Sequence, residues 1–171
     1  MKTLSLALCL TAAAGVSALP AQNLAANITE SKQSYTAIKN NLIGMAEAMP
    51  DSGYGFQPTP EIRTFGALMA HVADTNARIC GGAMGEQKSV GAAAKTAKAD
   101  LVAAMKESFS ICDASFDALT DANALQPAGM GRTKLGLLNF NTMHDNEEYG
   151  YGSIYLRLKS VVPPSTANKK K

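Results

Sequence analysis

Apolar residues recur along this chain at helical spacing, in four blocks separated by glycine and proline. In the first, Leu24, Ile28, Tyr35, Ile38, Leu42, Ile43 and Met45 share one stripe, and Pro50-Asp51-Ser52-Gly53 closes it. That spacing predicts a helix from Leu24 to Met49, with Asn27 and Glu30 as a capping box near its start. Thr59, Pro60 and Glu61 predict the next helix start: a capping hydroxyl, a proline in the first turn and an acid at the positive end of the dipole. Ile62, Phe65, Leu68, Met69, Val72, Asn76 and Ile79 carry that helix on to Gly81-Gly82. A third segment, Val90 to Leu119, is rich in alanine and lysine, both good helix formers. After Pro127, Gly129 and Gly131, a fourth helix begins between Thr133 and Asn141 and runs to Val161, ahead of Pro163-Pro164. No useful stretch alternates with a period of two. The pattern therefore predicts an all-α chain folded as an antiparallel four-helix bundle.

The amino terminus changes the picture of where that bundle works. Lys2 precedes a short apolar run from Leu4 to Val16, and Val16-Ser17-Ala18 offers a small-residue cleavage site. This order predicts a secretory signal peptide over residues 1–18, removed after Ala18. The run is too short to span a bilayer, and no other stretch is apolar enough to do so. The expectation is an exported protein, periplasmic or extracellular, with no membrane anchor after cleavage. Residues 19–164 then form one domain with a substantial core. Residues 165–171, ending in Lys169-Lys170-Lys171, read as a solvated basic tail.

Charge and cysteine narrow the function classes. Sixteen Lys and Arg against fourteen Asp and Glu give a formal net charge of +2, which argues against a dedicated nucleic-acid binder. Cys80 and Cys112 survive removal of the leader. An exported pair can form a disulfide, but two buried thiols are equally open, because disulfide geometry is strict and sequence supplies no distance. There is no Cys-x-x-Cys and no phosphate-binding glycine loop.

The candidate chemistry lies in the only two histidines. His144 and Glu148 are four residues apart, one above the other on a helix. At about 100° per residue, Leu137, Glu148, Tyr151, Tyr155 and Leu158 all fall within about 40° of His144, which predicts a core-facing stripe. A carboxylate there is costly unless paired or bound to a cation. His71 flanks the apolar stripe of the second helix, where it can turn towards a neighbour. Two imidazoles and a carboxylate suit zinc, ferrous iron or a similar divalent ion. An exposed ion pair and an isolated structural histidine account for the same spacing equally simply.

Three passages carry a family resemblance: Phe56-Gln57-Pro58-Thr59-Pro60-Glu61-Ile62-Arg63-Thr64-Phe65-Gly66; Leu68-Met69-Ala70-His71-Val72-Ala73-Asp74; and His144-Asp145-Asn146-Glu147-Glu148-Tyr149-Gly150 through Tyr155-Leu156-Arg157-Leu158-Lys159 to Val162-Pro163-Pro164. In these, and in their order, the chain resembles the DinB-like superfamily of damage-inducible, metal-binding bundles (not the DNA polymerase that shares the name). The resemblance implies an up-down-down-up four-helix bundle, often a homodimer. It implies a divalent ion, zinc, nickel or iron, on three histidines: one from the second helix and two from a His-x-x-x-His on the last. His71 matches the first and His144 the second. Glu148 stands where the family pattern has the third, so the expected ligand set is His71, His144 and Glu148.

Some family members resemble thiol-dependent transferases, but such thiol cofactors are cytoplasmic, which counts against that chemistry in an exported chain. A metal-activated water acting on an unidentified small molecule is the simpler expectation, making the chain a metal-dependent hydrolase or transferase. Tyr151 or Tyr155 would then donate to a developing oxyanion, and Asp74 would orient His71. Two other readings stand beside this one: a non-catalytic metal- or ligand-binding bundle whose site has decayed, and a haem b bundle using a methionine and a histidine.

Overall fold

The computed structural model describes residues 24–167. The predicted leader, residues 1–18, lies outside them, as does the lysine run 169–171. The described chain is all-helical: α1 Leu24–Ala48, α2 Phe65–Ala83, α3 Lys98–Asp117, α4 Lys134–Leu158 and a short α5 Pro164–Ala167. Cross-helix contacts fix the directions. Lys32 pairs with Asp117 and Lys39 with Asp113, so α1 and α3 are antiparallel. Tyr155 reaches Arg63, and Asn141 reaches Asn76, so α2 and α4 are antiparallel. Gly66 lies against Leu101 and Cys80 against Cys112, so α2 and α3 run parallel. Asn27 and Ser34 of α1 line a cleft with Leu135 and Thr142 of α4 near both N-terminal ends, and Gly152 lies against Met45 near both C-terminal ends, so α1 and α4 are parallel too. The result is an up-down-down-up four-helix bundle.

The core is continuous. Tyr35, Leu42, Met45, Phe65, Met69, Val72, Leu101, Met105, Phe109, Leu138 and Leu156 are almost fully buried within it. Cys80 and Cys112, open between two states on sequence grounds, form a disulfide with Cα atoms 5.0 Å apart. The closed loop of about 32 residues makes that bond worth about 3–4 kcal/mol on the chain-entropy account. Gly152 marks the closest approach of α4 to α1, since a Cβ there would run into the Met45 side chain.

Several local expectations need correction. Asn27 and Glu30 lie inside α1, which is already helical at Leu24, and so form no capping box. The second helix starts at Phe65, not Pro60. Its cap is Thr64, whose hydroxyl accepts from Ala67 N at 3.2 Å. The reason is tertiary: the N–H groups of Phe65 and Gly66 donate to the carbonyls of Phe56 and Tyr54, tying the helix start to the preceding loop. Residues 58–62 are left as a projecting turn, braced by Gln57 Nε2 on the Pro60 carbonyl. The third helix starts at Lys98 rather than Val90. Gly91 takes φ +58°, and both oxygens of Asp74 accept from Ala92 N and Ala93 N, each at 2.8 Å. That pins the alanines as a separate 3-10 turn, overriding their helix propensity. Asp74 is therefore a loop anchor, not the orienting partner of His71. Residues 165–167 of the expected tail belong to α5, Pro164–Ala167, and Ser165 N donates to the Tyr149 hydroxyl.

Candidate metal centre

Thr133 sets the register of α4, its hydroxyl accepting from Gly136 N at 3.1 Å. From there a buried stripe runs through Leu138, Asn141, Asp145, Glu148, Gly152 and Tyr155. This stripe is rotated about a quarter turn from the one centred on His144. Glu148 and Tyr155 face inward as expected, His144 stands at the edge, and Tyr151 and Leu158 are more than half exposed. The expectation failed for those two because Asn141, Asp145 and Gly152 share the inner face of α4 with Leu138 and Tyr155, so apolarity alone does not mark it.

The edge position serves His144 well. Its Nε2 lies 3.1 Å from His71 Nε2, which reaches over from α2. Glu148 Oε1 lies 3.4 Å from His144 Nε2 and 3.5 Å from His71 Nε2. The three atoms form a nearly equilateral triangle, and the group could hold a metal ion. Ligand–metal bonds of about 2.0–2.1 Å in a tetrahedral site place donor atoms about 3.3–3.4 Å apart, so the triangle has the dimensions of one face of such a site. Glu148 is buried, and among the described residues only the two imidazoles face its carboxylate at polar distance. Two imidazoles can also share a single proton across a 3.1 Å gap, which a cation would replace.

The far side of His144 holds a residue that sequence reasoning assigned no role. Asp145 is fully buried, its Oδ1 3.9 Å from His144 Nδ1. Both atoms lack any other partner, so each is the other's available match. Asp145 Oδ2 accepts from Asn141 Nδ2 at 3.2 Å, and Asn141 Nδ2 also donates to Asn76 Oδ1 at 2.8 Å. A polar line thus runs from the triad into the core, ending near the disulfide, where Cys112 Sγ lies 3.7 Å from the Asn76 carbonyl oxygen. Carboxylates behind histidine ligands fix the tautomer and make the ring a better donor. Burial pushes the Asp145 carboxyl up to about 6, against the pull of His144. That carboxylate in turn holds the His144 imidazole above its ordinary value, while burial and the charge of Arg63 bring His71 below it. The signal for this line was present in the sequence: Asn76 interrupts an otherwise apolar stripe, and a buried amide demands a partner.

Two clefts of about 530 Å³ each flank the triad. One is lined by Glu148 with Ile62, Leu68, Tyr151, Ile154 and Tyr155. The other is lined by His71 with Thr64, Asp74, Lys95 and Thr96. Both tyrosines considered as donors line the first cleft, and both hydroxyls are engaged. Tyr155 donates to the Arg63 carbonyl at 2.7 Å and Tyr151 to Glu147 Oε1 at 3.2 Å.

No curated protein matches the chain. A family model described as the DinB superfamily matches residues 34–151, which take in α2, α3, most of α1 and α4, and all three residues of the triangle. Because that match spans more than half of the sequence, the chain belongs to the DinB superfamily.

Proposed function

We propose that the protein binds one divalent metal ion through His71 Nε2, His144 Nε2 and Glu148 Oε1, and serves as an exported metal-dependent hydrolase or transferase for a small molecule. One observation carries the proposal: three donor atoms from two helices converge within 3.5 Å of one another. Nitrogen–nitrogen–oxygen donor sets suit zinc, with nickel and ferrous iron as alternatives. Such an ion supplies Lewis acidity to whatever oxygen reaches it. The chain's own residues do the rest. Glu148 brings the negative charge that offsets the cation. The Asp145 carboxylate, 3.9 Å from His144 Nδ1, favours the proton on that nitrogen and so leaves Nε2 to ligate. The two clefts give a small molecule access from either side. The Cys80–Cys112 bond supports the export reading, because disulfides persist in oxidising compartments.

Metal analysis of the purified chain tests this reading. The expected result is one divalent ion per chain, lost in His71→Ala and His144→Ala and reduced in Glu148→Ala. Glu148→His should retain the ion, because it restores the ligand type at that position. A wild-type protein that takes up no zinc, nickel or iron sinks the proposal. Full occupancy in Glu148→Ala would remove the carboxylate from the ligand set.

A further inference from the structure

Three acidic side chains line the two clefts, and each is already engaged. Glu148 faces the two histidines. Asp74 spends both oxygens on Ala92 N and Ala93 N. The Glu61 carboxyl is held below its ordinary value by the Thr59 hydroxyl. Arg63 differs from all of them. Among the described residues it alone lines both clefts. Among the described residues no carboxylate pairs with its guanidinium. Its backbone is nonetheless fixed from both sides: the carbonyl accepts from Tyr155, and the next two residues cap α2 and bond to Phe56. Arg63 is exposed, and its guanidinium, unpaired among the described residues, stands at the junction of the two clefts, where it can meet an anion.

The first cleft says what else the ligand carries. Pro58, Ile62, Leu68, Tyr151, Ile154 and Tyr155 give it apolar walls. Ile62, Tyr151 and Ile154 are about half exposed there, so covering them removes apolar surface from water. The volume lies within the range of small-molecule sites.

We infer that Arg63 anchors an organic anion, a carboxylic or phosphoric acid with an apolar chain or ring, whose acid group pairs with the guanidinium while its apolar part lies over Ile62, Leu68 and Ile154. This narrows the substrate class of the proposed metal site and rests on that reading for the position of the reacting end. The anion subsite itself needs no metal. Lys95, in the second cleft, adds positive charge on the same side.

Calorimetric titration of the full chain with sodium octanoate, phenyl phosphate and uncharged 1-octanol tests the inference, in metal-loaded and metal-stripped protein. Octanoate or phenyl phosphate should bind wild type at least about 10-fold tighter than Arg63→Gln, the scale of one charge-assisted contact. Arg63→Lys should keep part of the difference, and octanol should bind weakly and equally to all three. Whichever acid binds tighter identifies the anion class. Equal affinity of both acids for wild type and Arg63→Gln, or octanol binding as tightly as octanoate, overturns the inference. The two readings fail separately. Arg63-dependent binding in a chain that takes up no metal keeps the subsite and removes the metal centre. A chain that loads zinc but binds the acids independently of Arg63 does the reverse.

Discussion

The α1–α3 seam and the α2–α4 seam are both helix-on-helix contacts, yet they are built to opposite ends. Between α1 and α3, Tyr35 stacks on Phe116 with ring centroids 4.5 Å apart and lies against Phe109. Its single hydroxyl proton is shared between the Phe109 carbonyl and Asp113 Oδ1, and Asp113 also accepts from Lys39. Polar groups there are matched and apolar ones packed. Between α2 and α4 the interior holds Asn76, Asn141, Asp145 and Glu148. All four buried side-chain atoms left without a hydrogen-bond partner among the described residues lie on these two helices: Asn76 Nδ2, Asn141 Oδ1, His144 Nδ1 and Asp145 Oδ1. Each such atom costs about 1–3 kcal/mol. One seam contributes stability, and the other spends it on a constellation that packing alone would not favour.

The largest test sets the seams against each other. Phe109→Ala should lower the unfolding free energy by about 3–5 kcal/mol, as truncating a buried aromatic does, while metal stoichiometry stays at the wild-type value. His144→Ala should abolish metal uptake and cost the metal-free fold less than Phe109→Ala, because it removes a partly exposed ring at the helix edge. Urea unfolding with parallel metal analysis reads both. If Phe109→Ala loses metal in the native baseline, or His144→Ala unfolds the chain, the two seams are one unit and the contrast fails.

A smaller effect probes the polar line behind the histidine. Asp145→Asn should weaken metal affinity by about 10–100-fold, the usual cost of losing the carboxylate behind a ligating imidazole. The same change should alter stability against pH in the metal-free chain. The Asp145 carboxyl sits at about 6 in the folded protein, above its ordinary 3.8. The folded state therefore binds this proton more readily than the unfolded state. The stability it contributes is fully present below pH 3.8 and is lost as pH rises through about 6. Wild type should lose stability relative to Asp145→Asn across that window, and urea midpoints at pH 4 and pH 7 measure it. A constant difference between the two proteins would mean that the carboxylate is not held up in the native state.

The contrast also explains which parts of the molecule could be read from sequence. Four helices were legible because the bundle core is apolar and periodic: Tyr35, Leu42, Phe65, Val72, Phe109 and Leu156 carry it. The convergence of His71, His144 and Glu148 was legible too, through spacing on α4 and the flank position on α2. Helix starts were less so. Thr59-Pro60-Glu61 has better cap chemistry than Thr64, but the carbonyls of Tyr54 and Phe56 hold the N–H groups of Gly66 and Phe65, and no local pattern encodes that. The alanine run at 92–94 lost its helix to two hydrogen bonds that Ala92 N and Ala93 N donate to Asp74, eighteen or more residues away. On α4 Asn141, Asp145, Gly152 and Ser153 share the inner face with Leu138, Tyr155 and Leu156, so hydrophobic periodicity pointed a quarter turn away. Sequence pattern reports the apolar seam outright; of the polar seam it reports the ligand spacing but not the inner face that carries it.

The smallest expected effect sharpens what makes the stabilising seam stable. Lys39 Nζ lies 2.8 Å from Asp113 Oδ1 and 5.6 Å from the centroid of the Tyr35 ring. Both charged groups remain partly exposed, at 20% for Lys39 and 39% for Asp113. Solvent screens such a pair, so Lys39→Ala should cost only about 0.2–1 kcal/mol, less at high salt. Tyr35→Phe should cost about 1 kcal/mol or more, because it leaves the ring stacked and removes a hydroxyl that serves both Asp113 and the buried Phe109 carbonyl. Equilibrium unfolding of the two variants at low and high ionic strength ranks them. A salt-independent loss in Lys39→Ala larger than that in Tyr35→Phe would mean that charge, not packing and the buried hydroxyl, holds α1 against α3. The division between a packed seam and an electrostatic one would then no longer describe the bundle.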